Sequence, residues 1–209
     1  MIAVIDYGMG NLRSVEKALN VVGAKTKVTS RASDLKKCEK LVFPGVGAFG
    51  EAMRELKRRK LIEPIKDAID SGKSFLGLCL GLQLLFEKSD EAPGVKGLCV
   101  LKGEVKKFKV KNLKVPHMGW NNVGYRPKAK GLRSKILNGV INGAYMYFVH
   151  SYYVKPKESK IAVTTTDYGI KFISGIQKDN IYGFQFHPEK SQELGLKILE
   201  NFVRLPVSG

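Results

Sequence analysis

The 209-residue sequence lacks the features that mark membrane and secreted proteins. No apolar run approaches the roughly 20 residues needed to cross a bilayer, and the first ten residues have neither the basic segment nor the cleavage site of a signal peptide. The three cysteines, Cys38, Cys79 and Cys99, lie far apart and form no C-x-x-C pair, which argues against a disulfide framework and a zinc ribbon. We therefore expect a protein of the reducing cytoplasm that binds no membrane.

Acidic residues are also scarce, because 19 Asp and Glu stand against 36 Lys and Arg and the formal net charge is +17. Such an excess is typical of proteins that bind nucleic acid or another acidic partner. The lysines are mostly spread along the chain, however, and no basic motif interleaved with aromatic residues is present. We expect no nucleic-acid ligand. An acidic partner face, electrostatic steering of association and a lysine-rich proteome remain three explanations of the charge.

The hydrophobic pattern predicts an α/β protein with a single domain over residues 1–209, since neither a repeat nor a linker divides the chain. Strands and helices alternate in the first half, which indicates a largely parallel sheet covered on both faces. Successive strands in the second half indicate an antiparallel portion. The pattern predicts helices over 11–23, 51–72, 82–89 and 191–205, an amphipathic hairpin over 101–115, and strands within 144–154, 160–169, 171–180 and 181–189.

The segment FLGLCLGLQ, residues 75–83, carries the strongest chemical signal. A predicted strand meets Gly77, Cys79 and Gly81 and a helix follows at once, which is the nucleophile elbow G-x-S-x-G with cysteine in place of serine. Glycines relieve crowding at so sharp a turn, and the start of the next helix favours the thiolate. The alternative is a small buried cysteine, since glycine-rich strand ends are common in α/β folds.

A nucleophilic cysteine needs a base, and the base needs an orienting partner. His187 and Glu189 lie two residues apart at the end of an apolar strand, so in an extended chain both side chains point to the same side. We predict His187 as the general base and acid and Glu189 as its orienting carboxylate. A solvent-exposed pair is the alternative. His117 and His150 have no carboxylate two residues away and are expected to be structural or interface residues.

Gly45 and Gly47 flank Val46 directly after a predicted strand, so the backbone N–H groups of this loop could form an oxyanion hole. An ordinary turn is the alternative. The segment GMGNLR has Arg13 where a dinucleotide fingerprint needs its third glycine, and the sequence contains no metal-ligand cluster. We therefore expect neither a cofactor nor a bound metal.

The elbow, the P-G-x-G loop and the H-P-E triplet, in this order and spacing, resemble the triad-type (class I) glutamine amidotransferases over nearly the whole chain. The segments IDYGMGNLRSVEKAL, PGVGAFG, VPHMGWN and YFVHSYY look like those of glutaminase subunits of imidazole glycerol phosphate synthase. The resemblance implies a three-layer αβα fold with a mixed, largely parallel central sheet. It also implies a glutaminase of histidine biosynthesis that delivers ammonia to a cyclase.

The same resemblance implies roles for individual residues. Cys79 would attack the side-chain amide of L-glutamine, with His187 and Glu189 completing the triad. The other implied positions are Val46, Gly47 and the N–H of Leu80 for the oxyanion hole; Gln83, Glu91, Ser151 and Tyr152 for the amino-acid end of glutamine; and Gly10, Asn11, His117, Met118, Trp120, Asn121, Tyr147 and Lys190 for the docking face.

The implied partner is a separate (β/α)8 cyclase subunit, because 209 residues cannot also hold a barrel, and the two chains would form a heterodimer. Three alternatives remain. They are a glutaminase for another synthase, such as that of pyridoxal phosphate, a non-catalytic RNA-binding protein on the same fold, and a peptide hydrolase with a Cys-His-Glu triad. The complete set of Cys79, His187 and Glu189 argues against the second.

Overall fold

The computed structural model describes residues 1–126 and 134–206 of the chain. Short apolar strands and amphipathic helices alternate in the first half, as the change between the two hydrophobic periods predicts. The helices are α1 (Leu12–Val21), α2 (Ala32–Lys37), α3 (Phe49–Arg58), α4 (Ile62–Asp70), α5 (Leu80–Gln83) and α6 (Gln192–Arg204). The strands are β1 (Ile2–Ile5), β2 (Thr26–Thr29), β3 (Lys40–Phe43), β4 (Ser74–Leu78), β5 (Lys88–Ser89), β6 (Gly103–Lys107), β7 (His117–Tyr125), β8 (Ala144–His150), β9 (Tyr152–Pro156), β10 (Ala162–Asp167), β11 (Lys171–Lys178) and β12 (Ile181–Phe184).

The strands form a mixed sheet in the order β2-β1-β3-β4-β12-β11-β10-β7-β8. The first five strands in this order, β2-β1-β3-β4-β12, pair in parallel. The remaining pairs, β12-β11-β10-β7-β8, are antiparallel. Strands β5, β6 and β9 form a branch that joins the sheet at β11. The predicted α/β fold, with a parallel first half and an antiparallel portion later, is confirmed. Strand β12 comes from near the end of the chain yet pairs directly with β4.

Helices cover both faces of the central strands, and every residue of β1 and β3 is buried. Alternate residues of β1 enter opposite cores: Ile2 and Val4 pack with α1 and α6, whereas Ala3 and Ile5 pack with α2, α3 and α4. The period of two within each strand therefore builds three layers, with the sheet between two groups of helices.

Several predicted elements differ from those observed. The helix predicted over 51–72 is divided into α3 and α4, because Lys60 adopts a left-handed conformation between them with φ 56°. The hairpin over 101–115 is wrong: β6 alone forms there, and it pairs with β5 and β9. The strand within 144–154 is interrupted at Ser151, where the chain passes from β8, paired with β7, to β9, paired with β6 and β11.

Candidate active site

Cys79 lies at the carboxyl end of β4, in the turn that leads into α5. Its backbone has φ 51° and ψ −106°, a conformation that costs on the order of 1–3 kcal/mol for a residue with a side chain. Neighbouring glycines make this turn possible. A Cβ on Gly77 would lie 2.8 Å from the carbonyl oxygen of Gly81, and a Cβ on Gly81 would overlap the carbonyl oxygen of Phe43. The close approach of three backbone segments therefore requires both glycines.

The helix after the elbow is shorter than predicted. The pattern predicts a helix over 82–89, but α5 ends at Gln83 and Lys88–Ser89 form strand β5. A helix of four residues has little macrodipole, since few peptide dipoles are aligned in it. The electrostatic surroundings of Cys79 are therefore set mainly by neighbouring side chains.

His187 reaches Cys79 because β12 runs parallel to β4 and ends level with it. The N–H of Cys79 donates to the carbonyl of Phe184 at 2.7 Å, which joins the two strand ends. Beyond β12 the chain enters a 3₁₀ turn, Pro188–Lys190, rather than the extended segment expected. This turn brings Oε1 of Glu189 to 2.8 Å from Nδ1 of His187. The His187 and Glu189 side chains are only 2% and 1% exposed, so they form a buried pair.

The charges around His187 favour its imidazolium form. Burial lowers the pKa of His187, but the charge of a Cys79 thiolate and the adjacent Glu189 carboxylate raise it more, to about 10. The Nε2 atom is buried and has no hydrogen-bonding partner of standard geometry in the described part of the chain. Catalytic contacts of this kind commonly shorten only when substrate binds. His187 can therefore take the thiol proton and keep it close to the sulfur.

Sequence reasoning missed two further polar side chains near the sulfur. Nε2 of Gln185 donates to Sγ of Cys79 at 3.5 Å, and Sγ lies 3.9 Å from the carbonyl of Val149. The buried hydroxyl of Tyr7 has no partner among the described residues, and burial, together with the charge of Cys79, raises the pKa of Tyr7. The sequence did contain one indication of Gln185, since it is a polar residue in an otherwise apolar strand, two residues before His187.

A cavity of about 280 Å³ opens onto the sulfur of Cys79. Its wall includes every residue predicted for the oxyanion hole and for glutamine binding: Val46, Gly47, Leu80, Gln83, Glu91, Ser151 and Tyr152. Pro116, Val149 and His150 complete the wall and were not predicted for it. They come from the start of β7 and the end of β8, two elements whose proximity to the elbow depends on long-range strand pairing. The cavity combines a small volume with several polar groups, which suits a ligand of amino-acid size.

The predicted oxyanion loop packs against the elbow. A Cβ on Gly45 would lie 2.6 Å from the backbone nitrogen of Gly81 and 2.6 Å from Cβ of Leu80. The N–H of Leu80 donates to the carbonyl of Gly45 at 3.4 Å. A trans peptide carries its C=O and N–H on opposite sides, so the N–H of Val46 points away from Leu80. The N–H groups of Val46 and Leu80, two of the predicted donors, therefore do not converge in this conformation.

The predicted docking residues fall into two groups. On β7, Met118 and Trp120 are 62% and 47% exposed. Trp120 meets the ring of Tyr147 edge to face at 6.0 Å, and the ammonium of Lys190 lies 5.7 Å from the centre of that ring. Exposed Tyr145 lies with Trp120 in an adjoining groove and was not predicted.

The second group is half-buried or buried. Gly10 precedes α1 and lies beside Pro44 of the oxyanion loop, and Asn11 is the residue next to it. His117 is buried, in contrast to the docking surface expected for it, because its ring is directed inward from β7. The amide of Asn121 contacts that ring at 3.2 Å and is only half-buried. The side chain of His117 therefore offers no contact surface to a partner.

Within residues 1–126 and 134–206, no group of three His, Cys, Asp or Glu side chains is arranged to hold a metal ion. Among the same residues, no helix has both the length and the apolar character of a membrane span. The three cysteines are free thiols.

Solved structures share the fold of this chain. A crystal structure of a glutamine amidotransferase matches with a TM-score of 0.73 and 14% identity, over 97% of this chain and 99% of that one. The structure of PurLQS from Thermotoga maritima matches with a TM-score of 0.72 and 18% identity, over 96% of each chain. The sequence profile described as glutamine amidotransferase class-I matches residues 3–205. The chain therefore belongs to the class-I glutamine amidotransferase family.

More similar relatives narrow this assignment. The imidazole glycerol phosphate synthase subunit HisH of Caldanaerobacter subterraneus subsp. tengcongensis is 52% identical over 97% of this chain and 97% of its own length. The HisH subunit of Aquifex aeolicus is also 52% identical, over 96% of this chain and 95% of its own length. Within the class-I glutamine amidotransferases, the chain belongs to the HisH family of imidazole glycerol phosphate synthase subunits.

Proposed function

We propose that this chain hydrolyses L-glutamine at Cys79 and supplies the ammonia to the cyclase subunit of imidazole glycerol phosphate synthase in histidine biosynthesis. The proposal is carried by one juxtaposition: a strained cysteine elbow beside the buried His187–Glu189 pair, facing a cavity of about 280 Å³. A nucleophile, its base and the group that orients the base are the parts that covalent acyl transfer requires. A free thiol also suits a reducing compartment, which we take to be the cytoplasm.

The steps follow from where the protons are held. Nε2 of His187 takes the thiol proton, and the sulfur of Cys79 attacks the side-chain amide carbon of glutamine. His187 then donates that proton to the amide nitrogen, the C–N bond breaks, and ammonia leaves a glutamyl thioester. A water that loses its proton to His187 attacks the thioester, and glutamate leaves as the thiol is restored. Glu189 stays ionised and keeps Nδ1 of His187 protonated throughout.

The cavity wall supplies complementary groups for the rest of the substrate. We assign the carboxylate of Glu91 to the substrate ammonium, since a charge-assisted hydrogen bond of this kind is strong. One of its oxygens also accepts from the N–H of Phe49 at 2.8 Å, which holds the side chain in place. Gln83, Ser151 and Tyr152 line the other side of the cavity, where we place the substrate carboxylate.

The oxyanion hole needs a rearrangement before it can act. The carbonyl of Gly45 accepts from the N–H of Leu80 at 3.4 Å. A flip of the Gly45–Val46 peptide would free the N–H of Leu80 and turn the N–H of Val46 to the same side, so that both donors face one oxyanion. We therefore propose that the chain alone hydrolyses glutamine slowly and that docking of the cyclase favours the flipped loop.

We place the cyclase, a separate (β/α)8 barrel, on the surface that carries Met118, Trp120 and Tyr147. Two arguments support this surface. Tryptophan and tyrosine are enriched at interface hot spots, and large exposed apolar side chains side by side are uncommon on surfaces that remain in water. The relatives are named as subunits of a synthase, which supports a partner chain.

Replacing Cys79 with alanine tests the proposal. In the complex with the cyclase, Cys79→Ala is expected to abolish glutamine-dependent synthesis of imidazole glycerol phosphate and to leave ammonia-dependent synthesis intact. Cys99→Ala removes an exposed thiol away from the cavity and is the matched control. Glutamine-dependent synthesis by the Cys79→Ala complex, or full-rate glutamine hydrolysis by the chain without its partner, would contradict the corresponding part of the proposal.

A further inference from the structure

His117 and His150 are buried, contact each other and have no part in the proposed triad. Nδ1 of His150 lies 2.7 Å from the carbonyl oxygen of Tyr152, and its Nε2 lies 3.0 Å from Nδ1 of His117. On the outer side, Nε2 of His117 lies 3.2 Å from the amide nitrogen of Asn121, which also donates to the carbonyl of Asp167 at 2.8 Å. These contacts form a hydrogen-bonded relay from an exposed strand end to the wall of the cavity.

The partners determine where the protons of the two rings lie. A carbonyl can only accept, so Nδ1 of His150 is protonated and its Nε2 accepts from Nδ1 of His117. Nε2 of His117 then accepts from the amide of Asn121. A second proton on His150 would set two N–H groups against each other. Burial acts in the same direction, because it lowers the pKa of His117 to about 4 and the pKa of His150 to about 3. Both imidazoles are therefore neutral near pH 7.

The relay continues from Tyr152 to the nucleophile. The amide of Gln83 donates to the carbonyl of Tyr152 at 3.0 Å and to Oε1 of Gln185 at 3.1 Å. Gln185 in turn donates to Sγ of Cys79 at 3.5 Å. Both glutamines are buried, so bulk water cannot replace a partner that is lost. The carbonyl of Tyr152 is thus the junction at which the imidazole pair and the glutamine pair meet.

We propose that His117 and His150 are positioning residues. Their relay of two neutral imidazoles holds the Tyr152 carbonyl in place, and the glutamine pair, Gln83 and Gln185, connects that carbonyl to the sulfur and keeps the sulfur in the geometry needed for attack. This inference rests on the proposed glutaminase function. Loss of His117 leaves Nε2 of buried His150 without its donor, and a shift of that ring leaves the Tyr152 carbonyl with one hydrogen bond instead of two. The backbone that lines the cavity and the glutamine pair that ends at the sulfur then lose a common support.

Packing is the other role that these rings could have, and the structure offers variants that separate the two roles. The ring of His117 stacks on Phe148 at 4.7 Å and on Tyr168 at 4.0 Å. His117→Phe keeps an aromatic ring there and removes both nitrogens. Phe108 contacts the rings of His117 and His150 edge to face but has no side-chain hydrogen bond to lose. Phe108→Leu therefore disturbs the same cluster without interrupting the relay.

The first experiment measures kcat and KM for glutamine in the complex with the cyclase, together with ammonia-dependent synthesis and the thermal midpoint of each variant. His117→Phe is expected to lower kcat/KM for glutamine about tenfold or more, mainly through kcat, and to change ammonia-dependent synthesis less than about twofold. His117→Asn retains a donor near the position of Nδ1 and should recover part of the loss. Phe108→Leu should lower the thermal midpoint at least as much yet reduce kcat/KM less than about threefold.

The second experiment needs neither glutamine nor partner. Iodoacetamide alkylation of Cys79 is followed by peptide mass spectrometry, with exposed Cys99 as the internal reference in the same sample. His117→Phe should change the Cys79 rate about threefold or more and leave the Cys99 rate unchanged. If His117→Phe does not fold, His150→Phe removes the donor to the Tyr152 carbonyl, keeps an aromatic ring and should show the same change.

Equal effects of His117→Phe and Phe108→Leu on both kcat/KM and alkylation would overturn the relay proposal. So would a failure of His117→Asn to recover any activity. If the wild-type complex does not hydrolyse glutamine, the proposed function fails, but the alkylation rates still decide whether the relay positions the sulfur.

Discussion

Replacing Cys79 with alanine is expected to lower the pKa of His187 sharply. The present rise from 6.5 to about 10 corresponds to about 5 kcal/mol in favour of the imidazolium. Burial opposes this rise, and the effects of Cys79 that produce it exceed those of Glu189. The sulfur is therefore the larger source of the rise. With Cys79 removed, Glu189 alone must offset burial, and the pKa of His187 should fall well below about 10.

Nuclear magnetic resonance of the imidazole Hε1 protons measures this directly. The chain has three histidines, and burial lowers the pKa of His117 to about 4 and that of His150 to about 3. The resonance that titrates above neutral pH is therefore that of His187. Glu189→Gln is the matched variant and should lower the pKa of His187 less than Cys79→Ala does. A wild-type His187 that titrates near 6.5, or one whose pKa is unchanged in Cys79→Ala, would refute an ion pair between sulfur and imidazole.

Two further predictions concern stability. Gly81→Ala should lower the free energy of unfolding, measured by urea titration, by about 2 kcal/mol or more and eliminate glutaminase activity, because the new Cβ overlaps the carbonyl of Phe43. The control is Gly94→Ala, at φ 82° in open space, which should cost only about 1 kcal/mol in the same titration. Acid should destabilise the wild type more than His117→Phe. In the unfolded chain His117 takes up a proton below about pH 6.5, whereas in the folded protein burial lowers its pKa to about 4. The contribution of neutral His117 to the free energy of unfolding is therefore fully present above pH 6.5 and falls by about 3 kcal/mol by pH 4. Equal acid sensitivity of the two proteins in urea unfolding at pH 7 and pH 4 would contradict this assignment.

The elbow was predictable from sequence because its requirements are local. Gly77, Cys79 and Gly81 lie within five residues, and the overlaps that exclude other residue types arise at a single turn and the adjacent strand β3. The alternating strands and helices were predictable for the same reason, since each hydrophobic period is read within one element. Helix lengths were less predictable. The left-handed Lys60 divides a pattern that is helical on both sides, and nothing in its residue type signals that conformation.

The arrangement of the site could be predicted only in part, because it depends on a pairing between distant strands. His187 and Glu189 were singled out as two residues apart on an extended strand, whereas they meet through a 3₁₀ turn. They reach Cys79 because β12 pairs with β4, a contact between segments about a hundred residues apart. The contacts of Gln185 and His150 became visible only in the structure, since their partners come from other elements of the fold.

The charge of +17 is explained neither by the site nor by its chemistry. Among the described residues that line the cavity, Glu91 is the one charged side chain, and the triad adds a second carboxylate, that of Glu189. A zwitterionic substrate needs no more than this. Among the described lysines Lys40 is buried, and the others are exposed or half-buried, where charge acts on solubility and on the rate of association rather than on the fold. The ammonium of Lys190 lies over the ring of Tyr147, which in turn contacts Trp120, so our proposal places this basic residue at the docking surface. Electrostatic steering by the lysines would therefore act on the encounter with the cyclase in which the exposed Trp120 is buried.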